Sequence, residues 1–302
     1  MKKKISIMLC IVLFALTGCT NSGRTIRFGA ADVGGMYYSF ANTFTELANE
    51  QGYDFTCKVR TTAGSNANIR LLSDDYIEIG IAQADLIADA YKTNEDLRAI
   101  AGLYTETCQL VVRADSNIQT LDDLSGHTVS IGAEESGTER NATQILEFAG
   151  MPSSLVATKN LDYIEATKEL KAGDIDAFFC TAGLTTTVID ELSKECDIRL
   201  IPLTDTVISK MLESSSAYTS EVIPAGTYTG QDTAISTIGV KSVLITKSDV
   251  SDDTIEQLTS LLFEKENIFP SEILYSGACH RRTDFCHHDM HMLCHRNRRI
   301  FL

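Results

Sequence analysis

The sequence predicts an α/β protein built as two lobes. Strand-like and helix-like segments alternate through residues 25–264, and most of the turns between them are small or glycine-rich. Such alternation is typical of parallel sheets covered by helices. After the first 18 of the 302 residues are set aside, the chain is long enough for two lobes with separate cores or for one large domain. We favour two lobes.

Three successive strand–turn–helix units open the predicted first lobe. In the first helix, Phe40, Phe44, Leu47 and Ala48 share one face at helical spacing. Three such units in a row predict parallel pairing of their strands. The predicted strands are 25–30, 55–61 and 77–83, and the predicted helices are 37–50, 65–72 and 85–91.

A strand at 103–113 then leads into a second series of units. The predicted strands of this series are 128–131, 175–179 and 198–202, and the predicted helices are 138–148, 163–172, 184–194 and 205–213. A strand at 237–245 returns the chain to the first lobe, where helix 253–264 packs. The resulting division is 1–18 as leader, 19–113 with 238–275 as lobe 1, 114–237 as lobe 2, and 276–302 as a tail.

The leader has the pattern of a bacterial lipoprotein signal. Three lysines precede an apolar run at 5–16, which ends in Leu16-Thr17-Gly18-Cys19. That run is shorter than the roughly 20 residues that a membrane span needs. We expect cleavage before Cys19, a lipid on Cys19, and a protein held at the outer side of the cell membrane. The alternative is an ordinary secretory signal in which Cys19 is incidental.

Charge and motif content argue against several classes of function. The formal net charge is −15, which disfavours nucleic acid as a partner. The chain has no GxSxG, HExxH or Walker A motif, and His127 is the one histidine between residues 19 and 278. Cys57, Cys108, Cys180 and Cys196 lack CxxC spacing and are most simply small apolar residues. We therefore predict neither an enzyme nor a cofactor.

The tail differs in composition from the rest of the chain. Residues 279–302 contain five of the six histidines and are rich in arginine. One interpretation is a metal-binding tract, whose candidate ligands are Cys286, His287, His288, His291, Cys294 and His295. The interpretation we favour is translation past a shifted reading frame, because the tract lacks the paired-ligand spacing of structural zinc sites.

Small or glycine-rich turns recur where a predicted strand ends and a helix begins. In open α/β sheets, ligands bind at the carboxyl ends of the strands. Helix N-termini present free N–H groups there, so several of them facing one cleft would hold an anion without Arg or Lys. Each turn alone is more simply a helix cap. The turns are Gly34-Gly35, Gly64-Ser65, Gln83-Ala84-Asp85, Ser136-Gly137-Thr138 and Thr181-Ala182-Gly183.

Eight motifs, in order, carry a resemblance to a known family. They are GAADVGGMYY (29–38), TAGSNAN (62–68), IAQAD (81–85), LVVRADS (110–116), LDDLSG (121–126), GAEESGTE (132–139), IDAFFCTAG (175–183) and IPAGTYTGQ (223–231). Together they resemble the TAXI family, which comprises the extracytoplasmic solute-binding subunits of tripartite ATP-independent periplasmic (TRAP) transporters. The resemblance covers residues 25–270.

The resemblance implies a type II periplasmic-binding-protein fold, in which two α/β lobes are joined by two crossing strands, near 111–113 and 237–240. It also implies a small organic anion as ligand, of the dicarboxylate or acidic amino acid class, and transfer to sodium-driven TRAP membrane subunits. The cleft residues that it implies are Tyr37, Ser65, Asn68, Gln83, Ser136, Gly137, Thr138 and Gly183.

Two departures from the family pattern lie at the predicted site. Met36 stands where the family usually has a threonine. Glu134 and Glu135 stand where it usually has proline and glycine, which places two carboxylates beside the predicted anion site. The rival to a solute receptor is an extracytoplasmic enzyme or a metal-binding protein that uses the Cys/His tail.

Overall fold

The computed structural model of the chain describes residues 23–264. Within them, ten strands form one mixed sheet, and eight helices and one 3₁₀ turn accompany it. The strands are β1 (Arg24–Gly29), β2 (Phe55–Arg60), β3 (Ile79–Gln83), β4 (Leu97–Arg113), β5 (Thr128–Ser130), β6 (Ala157–Lys159), β7 (Ala177–Ala182), β8 (Ile198–Ile201), β9 (Tyr218–Ile223) and β10 (Ile235–Lys247). The helices are α1 (Met36–Glu50), α2 (Ser65–Ser73), α3 (Ala84–Tyr91), α4 (Gly137–Phe148), α5 (Tyr163–Ala172), α6 (Thr187–Glu195), α7 (Asp205–Ser214) and α8 (Asp252–Glu264).

Strand pairing in the sheet follows the order β2-β1-β3-β10-β4-β7-β5-β6, with β8 paired to β4 and β9 to β10. The pairing is parallel among β1, β2 and β3, as predicted, and also among β5, β6 and β7. β4 and β10 run antiparallel to each other and to their other neighbours. The sheet is therefore mixed rather than parallel throughout.

The two long central strands join the lobes. β4 pairs with β10 up to Thr107 and with β7 from Thr107 onward. β10 pairs with β9 up to Val240 and with β3 from Ser242 onward. Each strand thus passes from one lobe into the other. β4 changes partners at Thr107, a few residues before the crossing implied near 111–113, and β10 changes between Val240 and Ser242, at the end of the crossing implied near 237–240.

Each lobe has its own hydrophobic core. Two clusters of buried side chains draw only on residues 26–104 and 243–262, and two others only on residues 108–240. In the first lobe the rings of Phe28, Phe40 and Phe44 pack with centroids 5.7–6.3 Å apart. The predicted apolar face of α1 is buried at Phe40, Phe44 and Ala48 and only partly buried at Leu47. Burial of an aromatic side chain contributes about 1.5–3 kcal/mol, so this cluster anchors α1 against the sheet.

Several element boundaries differ from the predicted ones. β4 begins at Leu97, six residues before the predicted start, and β6 and β9 were not predicted. β6 is a three-residue segment with two exposed residues, and β9 reads Tyr-Thr-Ser-Glu-Val-Ile, so neither carries a strong apolar pattern. Pairing with an adjacent strand makes them strands. α6 begins at Thr187 rather than at 184.

Two predicted features lie outside the described residues, namely the leader with Cys19 and the Cys/His-rich tail. Among residues 23–264, no helix is both long and apolar enough to cross a membrane. The same residues contain no group of three or more His, Cys, Asp or Glu side chains placed to hold a metal ion. The four cysteines of this part of the chain are thiols, and Cys57, Cys108 and Cys180 are buried.

Candidate functional site

A small cavity lies between the two lobes, where strands of both lobes end. Its volume is about 40 Å³, which is room for a few water molecules. Both lobes contribute a helix N-terminus and the residues that follow a strand. The first lobe supplies Ala31, Asp32, Gly35, Met36, Tyr37, Ala63, Gly64, Ser65, Gln83 and Glu106, and the second supplies Ala133, Ser136, Gly137, Thr138, Tyr163, Thr181 and Ala182.

Six of the eight predicted cleft residues line this cavity: Tyr37, Ser65, Gln83, Ser136, Gly137 and Thr138. The other two, Asn68 and Gly183, do not. Asn68 is fully buried behind the cavity, where its amide nitrogen bonds to carbonyl oxygens of Ala30 and Ile81. Gly183 lies behind Met36, since a Cβ added there would be 2.9 Å from the Met36 Cε.

Two of the lining hydroxyls are already used inside the protein. The Ser136 Oγ caps α4 by accepting the N–H of Glu139 at 3.0 Å. The Thr138 Oγ1 accepts the N–H of Thr181 at 3.2 Å and lies 2.7 Å from the Tyr163 hydroxyl, which in turn donates to the Thr181 carbonyl. These two hydroxyls therefore hold the cleft wall in place.

A hydrogen-bonded chain reaches the floor of the cavity from the first lobe. The Ser65 Oγ accepts the Gln83 N–H at 3.1 Å and lies 3.5 Å from the Tyr37 hydroxyl. Tyr37 donates to the Glu106 carboxylate at 2.8 Å. Three residues from different elements thus position one buried acid.

Glu106 is a cavity residue that the sequence analysis did not identify. It lies on β4, lines the cavity and is 4% exposed. Its pKa is raised to about 8, chiefly by burial; hydrogen bonds from Tyr37 and Gln83 lower the pKa, and the nearby Asp85 charge raises it. The signal in the sequence was a single carboxylate between Tyr104 and Cys108 in a segment predicted to be a strand.

A second carboxylate lies in the same cavity. Asp32 follows β1, and its pKa is raised to about 6 by burial and by the charges of Asp162 and Glu165. Of the side chains that line the cavity, none is Lys, Arg or His within the described part of the chain. Among the lining groups, positive potential therefore comes from backbone N–H groups.

The helix N-termini at the cavity are not equivalent. The N–H groups of Asn66 and Ala67, at the start of α2, are both taken by the Glu135 carbonyl at 3.1 Å. Helix geometry leaves the N–H groups of Gly137 and Thr138 in α4 without a partner inside the helix, and both residues line the cavity. Met36 and Tyr37 have the same position in α1. The starts of α1 and α4 thus bring N–H groups that have no partner inside their helix to the cavity, whereas two N–H groups of α2 are taken by the opposite lobe.

Side chains of the two lobes meet across the mouth of the cleft. Arg70 in α2 donates to the Glu135 carboxylate with two nitrogens, at 2.8 and 2.7 Å. Arg140 in α4 donates to Asp89 in α3 at 2.7 Å. Glu135 has φ 64°, a left-handed conformation that favours glycine, which accounts for the glycine that the resembling family usually has there.

We expect Glu135→Gly to change the free energy of unfolding by less than about 1 kcal/mol. The partly exposed ion pair with Arg70 is worth about 0.2–1 kcal/mol, and relief of the left-handed backbone offsets a similar amount. Urea unfolding followed by circular dichroism measures the difference. A loss above about 2 kcal/mol would contradict this expectation and show that the Arg70–Glu135 ion pair contributes more to stability than relief of the backbone strain returns.

Comparison with known proteins places the chain in a well-populated structural group. Residues 28–278 match the model of the NMT1-like family. Among solved structures, a putative L-cystine ABC transporter from Listeria monocytogenes aligns with a TM-score of 0.55 and 13% identity, over 84% of this chain and 97% of that one. The alkanesulfonate-binding protein SsuA from Xanthomonas axonopodis pv. citri, bound to MOPS, aligns at 0.51 and 14%, over 81% and 75% of the two chains.

A third structure, holo ArgBP from T. maritima, aligns with a TM-score of 0.51 and 14% identity, over 80% of this chain and 90% of that one. At such identities the likeness shows the fold. The predicted fold class, two α/β lobes joined by two crossing strands as in periplasmic binding proteins, is confirmed.

Proposed function

The chain belongs to the NMT1-like family, and on that premise we propose that it is an extracytoplasmic solute receptor that binds a small molecule without converting it. The observation that carries the proposal is the cavity between the lobes, which receives a helix N-terminus and polar side chains from each lobe. A ligand held there contacts both lobes at once and so favours the closed arrangement. Two similar structures, an arginine-bound form of ArgBP and the alkanesulfonate-binding protein SsuA, support this proposal.

The proposed solute is a small organic anion, of the dicarboxylate or acidic amino acid class. A carboxylate fits the start of α4, where the N–H groups of Gly137 and Thr138 line the cavity. The cavity is small, so only a small part of a solute fits between the lobes in this arrangement. Support for this class also comes from the resemblance to TAXI proteins.

The proposed partner is a sodium-coupled TRAP permease. This proposal rests on the ordered motifs, from GAADVGGMYY at 29–38 to IPAGTYTGQ at 223–231. One similar structure is a putative L-cystine ABC transporter, which makes an ABC permease the competing partner. Solute uptake by cells that express the receptor with its permease separates the two, since a TRAP system stops when the sodium gradient is collapsed and an ABC system does not.

A screen for ligand-induced stabilisation tests the receptor function. A ligand at about 100 times its dissociation constant adds about 2.7 kcal/mol to the free energy of unfolding. We expect some organic acids or amino acids to raise the melting temperature and to be recovered unchanged by mass spectrometry. Conversion of the stabilising compound would favour the rival enzyme, and stoichiometric zinc whose removal unfolds the protein would favour the rival metal-binding protein.

We expect Cys19→Ser to release the protein from the membrane, because the proposed anchor is a lipid on the Cys19 thiol. Fractionation of cells that express the wild type and the variant measures the change, and mass spectrometry of the mature N-terminus identifies the lipid. Cys57→Ser serves as the control, since this cysteine lies in the first lobe. Membrane retention of the Cys19 variant would show that the anchor is something else.

A further inference from the structure

The inner end of the cavity is rich in hydrogen-bond acceptors. The Glu106 carboxylate lines it and accepts from Tyr37 at 2.8 Å. The Gln83 side chain also lines it, is 1% exposed, and its Oε1 has no hydrogen-bond partner. An amide oxygen accepts hydrogen bonds and cannot donate them, so a group that satisfies this oxygen must be a donor.

The charges around this end have the same sign. Asp32 lies in the same cavity, and Asp85 lies near enough to raise the pKa of Glu106. Arg140 lies 3.8 Å from the Asp85 carboxylate, but none of the described residues that line the cavity is basic, so Glu106 and Asp32 have no cation beside them there. A buried carboxylate without a compensating cation is costly, and a ligand that brings positive charge would remove that cost.

We propose that Glu106 and the Gln83 Oε1 form a subsite for a protonated amine, so that the solute carries an ammonium group as well as a carboxylate. The ammonium donates to the Glu106 carboxylate and to the Gln83 oxygen, while the carboxylate of the same molecule takes the N–H groups at the start of α4. This inference rests on the proposed receptor function and narrows its solute from organic anions in general to zwitterionic ones.

A different pH dependence is expected if Glu106 binds the ligand as a protonated acid. A protonated Glu106 would donate to a ligand carboxylate, and binding would then weaken as pH rises and the proton is lost. An ammonium ligand requires the ionised acid, so its binding strengthens over the same range and releases a proton. Because the pKa of Glu106 is about 8, this difference in binding falls in an accessible pH range.

Five of the titratable groups near Glu106 keep one charge state between pH 7 and 8.5. Asp32, with a pKa of about 6, is already ionised there. Burial raises the pKa values of the groups that face Glu106 from the surrounding elements, so Tyr37, Tyr104, Tyr163 and Cys180 keep their protons. Burial also raises the pKa of Asp85, whose hydrogen bond from Tyr218 and nearby Arg140 favour the ionised form.

The experiment compares acids that differ only in the amine. Calorimetry on the full chain measures the affinities of L-glutamate against glutarate, L-aspartate against succinate, and L-alanine against propionate, at pH 7 and 8.5. In at least one pair we expect the amino acid to bind about ten- to a hundredfold more tightly. We also expect its affinity to rise with pH, and titrations in buffers of different ionisation enthalpy to show proton release.

Glu106→Gln should remove most of that advantage, since it keeps the shape of the side chain and loses its charge. Glu134→Gln is the matched control, because Glu134 is exposed and does not line the cavity. It removes a charge close by and should leave the affinities unchanged. The wild-type comparison within pairs and the proton release decide the inference even if the Glu106 variant folds poorly.

Equal affinity within every pair, or affinity that falls between pH 7 and 8.5 with proton uptake, would overturn the amine subsite and leave the receptor function standing. Binding by no member of the panel would overturn the proposed organic-acid class together with the subsite.

Discussion

Replacing Asn68 by alanine is expected to lower the free energy of unfolding by about 3 kcal/mol. The amide nitrogen donates to the carbonyl oxygens of Ala30 and Ile81 at 2.6 and 2.8 Å, and its oxygen accepts the Thr62 hydroxyl at 2.8 Å. Each buried polar group left without its partner costs about 1–3 kcal/mol, and the substitution leaves several in a site with no exposure. Urea unfolding followed by circular dichroism measures the loss.

Asn66→Ala is the matched control for this prediction. It changes the same residue type in the same helix, but Asn66 is exposed. We expect a change within about 0.5 kcal/mol, as at other surface positions. Equal losses in the two variants would show that the buried bonds of Asn68 do not stabilise the first lobe.

Gly137→Ala is expected to weaken ligand binding about ten- to a hundredfold while leaving each lobe folded. A Cβ at this position would lie 2.3–2.6 Å from three atoms of the Gln83 amide, which belongs to the other lobe. Overpacking of this kind costs about 1–3 kcal/mol, and here the cost falls on the closed arrangement alone. Calorimetry measures the affinity, and small-angle X-ray scattering measures the larger radius of gyration of a protein that closes less fully.

Shortening the opposing side chain tests the origin of this effect. In Gln83→Asn/Gly137→Ala the added methyl group has more room, so we expect the compact form seen by scattering to return. Affinity recovers less, because the shorter amide no longer reaches the same ligand atoms. If the single Gly137→Ala variant binds and closes like the wild type, the close approach of Gly137 to the Gln83 amide does not limit how the lobes meet.

The helices and strands that the sequence predicted correctly share one property. Each has an apolar pattern strong enough to identify a buried face, as Phe40 and Phe44 do in α1. β6 and β9 lack such a pattern and become strands through a neighbour, because β9 pairs with β10 over six residues. Pairing between distant segments is a tertiary property, and no local pattern contains it.

For the candidate site, the sequence identified the turns at the strand ends but not the use of each polar group. Ser136 and Asn68 look alike in the sequence, since each is a polar residue close to a helix start that follows a small turn. In the structure, Ser136 caps α4 beside the cavity, while Asn68 ties β1 to β3 behind it. A hydroxyl or amide can form the same hydrogen bonds with the protein or with a ligand. Only the positions of the neighbouring groups decide whether its hydrogen bonds are made inside the protein or with a ligand.

The sequence by itself therefore determined the α/β class and the turns at the strand ends, because apolar periodicity and turn chemistry are local, while the two lobes joined by crossing strands were an implication of the family resemblance. Tertiary structure alone decided the accessible donors and the charge of the cavity. It brings the Glu135 carbonyl of one lobe onto the amides of α2 in the other, and it places Glu106 of β4 among the N-termini of helices from both lobes. Such contacts join residues far apart in the chain, and their electrostatic effect depends on burial that exists only after the lobes meet.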